Sequence, residues 1–431
     1  MDRFLRRVIL KNDSVNVIHV CGLVLFTVTG LALRFCMLPY TSGDWTFYLK
    51  PWTDRLAAEG FSALGGDFYN YTPLYMYVLY LFTALGLPVW TSVKIFSIGF
   101  DVVLAVLAGL LACQLTGRKG LGIVGYGAVL LAPTVAANSA LWGQCDSIYA
   151  ACIFACFYQL LRGRTNSGTV LFGVAFALKL QTLFLLPVLL VVWLFDNRLK
   201  LWQLLYIPGV YVLSVIPAWL AGRPLTELLT VYIDQSSYYT GQLTMNFPNI
   251  YAILGGDQLA EYLGGAAIWF TLGVLTLVGL AAIRLLQNFG ATPQRILTLA
   301  LLLSLVIPFF LPYMHDRYGY VTDLLAILFA LCFPKKFYVP VVMVSLSFIC
   351  YMRYLANEKS IPFYLLGAAY LAIILLVAVH FYRQCQTPEN FSGQDLKTCE
   401  KLSEEAPKLP VMQSDAVTAQ QQGPAAQDLE V

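Results

Sequence analysis

The chain has 431 residues, 59% hydrophobic and 12% charged, about half the charged fraction of about 25% usual in soluble domains. Its formal net charge of +3 is too small, and its basic residues too scattered, for a nucleic-acid surface. Ten cysteines lie mostly in apolar runs (Cys21, Cys36, Cys113, Cys152, Cys156, Cys332, Cys350), where a thiol is a small hydrophobe; only Cys145 falls in a predicted external loop, so there is no disulfide framework to read.

The N-terminal stretch MDRFLRRVILKND supplies Arg3, Arg6, Arg7 and Lys11. The apolar run after it, Val15 to Leu38, is too long for the apolar region of a cleavable signal and reads as a signal anchor with a cytoplasmic N-terminus. A polar loop follows at 39–72. Apolar segments then recur near 73–90, 93–115, 121–137, 147–161, 168–181, 182–195, 201–221, 263–284, 295–313, 319–333, 338–354 and 361–383. The class is an all-α polytopic integral membrane protein with about 11–13 transmembrane helices and additional helices in its external loops. The membrane domain covers 1–383. From 384 to 431 the chain is polar and rich in Gln, Ala and Pro, as expected of a disordered cytoplasmic tail.

Basic residues orient the chain. Placing Arg118/Lys119, Arg162/Arg164, Arg198/Lys200, Arg284, Lys335/Lys336 and Arg383 inside leaves 138–147, 222–262, 313–318 and 355–360 outside. One conflict stands: if 73–90 and 93–115 both cross, Arg118 lands outside. Either one of them is re-entrant, or the GRKG loop breaks the rule. The large loop 222–262 is aromatic rather than charged, with room for an amphipathic helix on the membrane surface.

Four polar motifs fall at predicted external ends. SGDW puts Asp44 before Trp45. NYTPLYMY gathers Tyr71, Tyr75 and Tyr77 around Pro73, a good first helical residue. NSALWGQCDS inserts Trp142, Gln144 and Asp146 between apolar runs, with Gly143 allowing a sharp turn. LPYMHDRYGY sets His315, Asp316 and Arg317 behind a proline. Each has a structural reading too. Asp44 and Asp146 are possible helix caps, and the tyrosines suit an interfacial anchor. Three adjacent ionisable residues beside an apolar span are costly without a function. Lys179, with Gln181 two positions on, sits inside an apolar stretch, either as a functional cation or as a snorkelling one. Arg34 and Asp101 are weaker cases; Asp101 can pair with a base across helices for structure alone.

An external acid, an external arginine and a buried lysine suit sugar transfer from a lipid-linked phosphate. Arg or Lys meets the charge growing on the departing phosphate, a carboxylate takes the hydroxyl proton, and aromatic rings suit the apolar faces of sugars. The ordered set GDW, YTPLY, NSALWGQCDS, ALKLQTLFLLP and LPYMHDRYGY resembles the C-type (GT-C) membrane glycosyltransferases, most nearly the bacterial relatives of the GPI-anchor second mannosyltransferase, over about residues 15 to 335. The resemblance implies a GT-C-like fold and an inverting transferase, at the extracytoplasmic face of a bacterial plasma membrane. It would move one sugar, with mannose a candidate, from a polyprenyl-phosphate donor to a glycan or lipid acceptor. It makes Asp44 the catalytic base or acceptor-orienting group. Arg317 becomes the donor-phosphate ligand, with His315 and Lys179, and Trp45, Tyr71, Trp142, Gln144, Asp146 and Gln181 contact substrate. Many family members carry two acids in the first loop, whereas Asp44 stands alone; that favours a lone base, with a divalent metal such as Mg or Mn left as the alternative.

Two other readings remain. A lipid or sugar transporter or flippase would place ionisable residues near the bilayer midplane on facing helices; here only Lys179 and Asp101 qualify. A glycan polymerase or ligase would carry several arginines in its large loop, where 222–262 has only Arg223.

Overall fold

An apolar run in hydrocarbon satisfies its backbone most simply as a helix, and the apolar segments of this chain all become helical. The computed structural model describes residues 17–237, 241–263 and 265–387. The basic stretch holding Arg3, Arg6, Arg7 and Lys11 lies outside the described residues, as does the expected tail from 388 onward. Residues 384–386 belong to the last helix, Phe363–Gln386, rather than to a tail.

Among the described residues, seven helices are long and apolar enough to cross a bilayer: Val17–Met37, Val89–Thr116, Leu201–Leu220, Ala266–Phe289, Pro293–Phe310, Pro334–Leu355 and Phe363–Gln386. An eighth forms if Lys119–Leu130 and Pro133–Trp142 count as one span, bent by 47° where Pro133 cannot continue the preceding hydrogen-bond ladder. This is a multi-pass, all-helical membrane architecture, in which seven or eight helices of full span length stand among the described residues where 11–13 were expected. Pro73–Ala84, Asp146–Leu161, Thr165–Leu178 and Leu180–Phe195 hold 10–17 residues each, shorter than a full span of about 20 residues; the last three still run between the cleft and basic turns at the opposite end of the bundle.

The short helices also resolve the conflict over Arg118. Pro73–Ala84 has 12 residues, about 18 Å, and does not cross. Val89–Thr116, with 28 residues, is therefore the second crossing and carries Arg118 and Lys119 to the side opposite the first loop. That helix packs on Lys119–Leu130 through glycines. A Cβ on Gly109 would lie 2.7 Å from the Gly122 carbonyl oxygen, and one on Gly122 would lie 2.8 Å from that of Gly109, the close backbone approach small residues allow in membranes.

The first crossing is tied in by an ion pair. Arg34 Nε donates to Asp101 Oδ2 at 2.8 Å, and Arg34 Nη1 donates to the carbonyls of Gly30 and Leu130 at 2.9 and 2.8 Å. Both side chains are buried. The structural pairing open to Asp101 in the sequence is thus made, with Arg34. Ser139 Oγ also donates to Asp101, fixing the π-helical turn Ala137–Trp142 from beneath.

Candidate functional site

Helix ends and loops meet in a cleft of about 580 Å³ at the end of the bundle away from the Arg118/Lys119, Arg162/Arg164, Arg198/Lys200 and Lys335/Lys336 turns. Each of those turns follows a helix whose other end reaches the cleft or the first loop. Lys94, at the start of Val89–Thr116, donates to the carbonyls of Leu38 at 3.0 Å and Tyr40 at 2.6 Å. Ser42 Oγ donates to the Trp142 carbonyl at 2.8 Å. The stretch before Asp44 is therefore held at both ends.

Asp44 precedes the turn Trp45–Leu49 but makes no capping hydrogen bond, so the helix-cap reading fails. Its carboxylate enters the cleft instead. Oδ2 accepts from Trp142 Nε1 at 2.9 Å and Gln144 Nε2 at 2.6 Å, and Oδ1 accepts from Tyr354 Oη at 2.5 Å. Arg317 Nη1 stands 3.7 Å from Oδ2, with its guanidinium carbon 5.5 Å from the centre of the Trp142 ring. Trp142 is stacked on its other contacts by Tyr354, with centroids 5.1 Å apart, and Tyr351 meets it edge-on. The WGQ motif reaches this position because Gly143 turns with φ +77°; a Cβ there would meet the Trp90 ring at 2.6 Å.

The second cation has its own acid. Lys179 Nζ donates to Asp146 Oδ1, and Asn138 Nδ2 donates to Asp146 Oδ2 at 2.7 Å. Lys179 lies at the break between Thr165–Leu178 and the turn Leu180–Leu185. It is 5% exposed and lines the cleft, as does Gln181. It therefore does not snorkel to a surface.

His315 and Arg317 enter from a segment stitched to the large loop. Strand Met314–His315 pairs in parallel with Thr244–Met245, the only strands among the described residues. Next to this pairing, Asn246 and Tyr313 have φ of 59° and 66°, an uncommon and strained backbone for non-glycine residues that recurs at functional sites. Burial, with help from Arg317 and Lys179, pushes His315 down to about 3, so its imidazole is neutral near pH 7. Burial pushes Asp316 up to about 8, with Arg317 acting against it.

The cleft thus gathers Asp44, Tyr71, Trp142, Gln144, Lys179, Gln181, His315 and Arg317 from five separate stretches of chain. Two expected substrate contacts lie elsewhere. Trp45 packs on Trp90, with centroids 4.8 Å apart, and lines a separate hollow with Lys50 and Asp54. Asp146 is buried behind Lys179, 1% exposed, and caps no helix with its side chain. Cys145, expected in an open loop, is also buried. Tyr354 was not among the expected site residues, and Asp316 stood in the LPYMHDRYGY motif without a role. Tyr354 ends a long apolar helix, and an aromatic residue at that end was the one available signal. The remaining walls mix aromatic Tyr48, Trp52 and Tyr75 with apolar Phe184, Ile268 and Leu311. Among the described residues no three His, Cys, Asp or Glu side chains are placed to hold a metal ion. No protein-family model matches this chain, and no curated protein matches it.

Proposed function

We propose that the protein is an inverting glycosyltransferase, of the GT-C type, moving one sugar from a polyprenyl-phosphate donor to an acceptor hydroxyl at the extracytoplasmic face of a bacterial plasma membrane. The observation that carries this is the Asp44–Arg317 pair, 3.7 Å apart, in an aromatic-walled cleft at one end of a membrane bundle. Basic turns gather at the other end, which the distribution of positive charge assigns to the cytoplasm.

Arg317 offers what a departing phosphate needs. Its Nε and Nη1 are buried and make no hydrogen bond in the protein, Nη1 only facing Asp44 across 3.7 Å, so the guanidinium keeps donor capacity for an oxyanion, and Trp142 packs against it. Lys179, already neutralised by Asp146, adds a second donor without excess charge. That balance suits a single phosphate. Asp44, held from three sides, keeps Arg317 and the acceptor hydroxyl in register. Phe184, Ile268 and Leu311 give the donor's lipid an apolar side to approach from, while the tyrosines and tryptophans present flat faces to sugars. A divalent cation does not fit Asp44: its carboxylate is surrounded by N–H and O–H donors and an arginine, with no second acid beside it in the first loop.

The test is release of polyprenyl phosphate by the purified chain from radiolabelled polyprenyl-phosphate mannose, glucose or galactose. The expected result is turnover of one donor. No turnover of any donor, together with movement of the lipid-linked sugar across proteoliposome membranes, would establish the transporter reading instead.

A further inference from the structure

The site holds a second carboxyl to which the roles above assign nothing. Asp316 directly precedes Arg317 on the short turn Asp316–Gly319 and lines the cleft while only 4% exposed. Its Oδ1 accepts the Arg317 backbone N–H at 2.9 Å; Oδ2 accepts no hydrogen bond among the described residues. Asp44 is the opposite case, with three side-chain donors on its oxygens and Arg317 facing it. Those donors occupy the lone pairs of Asp44 that an incoming hydroxyl proton would need, while Asp316 keeps an oxygen open to it. Two acids in one cleft with such different surroundings divide the acid–base roles between them.

We infer that Asp316, not Asp44, takes the proton of the attacking acceptor hydroxyl, an assignment that rests on the transferase reading above. The acceptor oxygen bonds to C1 of the sugar as the bond from C1 to the phosphate oxygen breaks. The electron pair of that bond leaves on the phosphate, towards Arg317, and the hydroxyl proton passes to Oδ2 of Asp316, from which water removes it.

The surroundings of Asp316 suit a proton acceptor working near neutrality. Arg317 favours its anion, and Asp44 and Asp146 oppose it. Cys350, Tyr351 and Tyr354 face it from the helix Tyr338–Leu355. Tyr320 and Asp323 follow it on Tyr320–Cys332, His315 precedes it, and Pro293–Phe310 carries only Arg295, at its far end.

The experiment uses the full chain in lipid nanodiscs, the same radiolabelled polyprenyl-phosphate donors, and polyprenyl phosphate release from about pH 6 to about pH 9. For wild type, kcat should rise about tenfold per pH unit and level off near the Asp316 titration. Asp316→Asn should lower kcat by about 10²- to 10⁴-fold, leave KM within a few-fold, and abolish the rising limb; Asp316→Glu should restore the limb with part of the rate. Asp44→Asn should lower the rate yet keep the limb. Without substrate, the infrared difference between the two pH extremes should show a protonated-carboxyl band that is lost in Asp316→Asn. An Asp316→Asn enzyme that keeps the rising limb, or an unchanged infrared band, overturns the assignment and leaves the transferase reading standing. If wild type turns over no donor, the transferase reading fails and this assignment with it.

Discussion

Replacing Asp44 by asparagine and by alanine separates a functional carboxylate from a structural one. In Asp44→Asn the amide oxygen can take the place of Oδ2 and keep the bonds from Trp142 Nε1 and Gln144 Nε2, now 2.9 and 2.6 Å long. The amide nitrogen then faces Tyr354 Oη, which turns from donor to acceptor across its 2.5 Å contact. All three hydrogen bonds survive, and only the charge is lost. Hydrogen bonds to a charged group contribute about 1.5–3 kcal/mol against about 0.5–1.5 for neutral ones, so three bonds lose roughly 3 kcal/mol in total. Removing a partly buried charge recovers part of that, which leaves a stability loss of about 1–2 kcal/mol. In Asp44→Ala two buried donors, on Trp142 and Gln144, lose their acceptor at about 1–3 kcal/mol each, or roughly 2–6 kcal/mol together. The asparagine variant should therefore elute as the wild type does in size exclusion and melt nearly as high, while the alanine variant melts clearly lower. Activity should fall in both, by about 10²-fold or more, because Arg317 loses its anionic partner and its register. The readout is polyprenyl phosphate release beside thermal unfolding of the same preparations. Near wild-type turnover in Asp44→Asn would refute the reasoning, since a loop anchor does not need the charge.

Three further outcomes follow from the same geometry. Lys179→Met strands the buried Asp146 carboxylate and should destabilise the protein by about 3–5 kcal/mol, whereas Lys179→Met with Asp146→Asn should recover most of it; equal melting of the single and double variants would show that the pair is not coupled. Arg317→Lys keeps the charge but loses the planar fork and should raise the donor KM at least tenfold, measured by titrating the donor in the release assay, with no change in melting temperature. Asp316 has its folded-state pKa raised from 3.8 to about 8, so between those values the native state holds more protons than the unfolded one and stability falls as pH rises. Relative to wild type, Asp316→Asn should therefore gain stability from about pH 5 to about pH 8 in thermal unfolding; a constant difference across that range would refute the shift.

Much of the site was legible because its chemistry-bearing residues interrupt apolar runs. A Trp, Gln or Asp between two greasy segments, as in WGQCD, is conspicuous against its neighbours, and so is Lys179. Tyr354 was not legible, since a tyrosine closing an apolar helix looks like any interfacial aromatic until its hydroxyl is found on Asp44. Trp45 misled for the complementary reason. Adjacent residues on a helical turn point about 100° apart, so the neighbour of an inward Asp44 faces outward, onto Trp90. Asp146 misled because a carboxylate in a polar motif reads alike whether it meets substrate or, as here, a lysine behind the wall.

The sequence by itself determined the class. Fifty-nine per cent hydrophobic residues in long runs allow only a helical membrane bundle, because hydrocarbon leaves backbone groups no other partner. It also determined where the helices lie and which motifs belong to loops, since both depend on local composition. Tertiary structure decided that Pro73–Ala84 does not cross, that Arg34 answers Asp101, and that Asp44 meets Arg317 while Lys179 meets Asp146. Those pairings join residues far apart in the chain, and local composition carries no record of them; they follow from which helix ends packing brings together, and from the cost of leaving a buried charge unpaired.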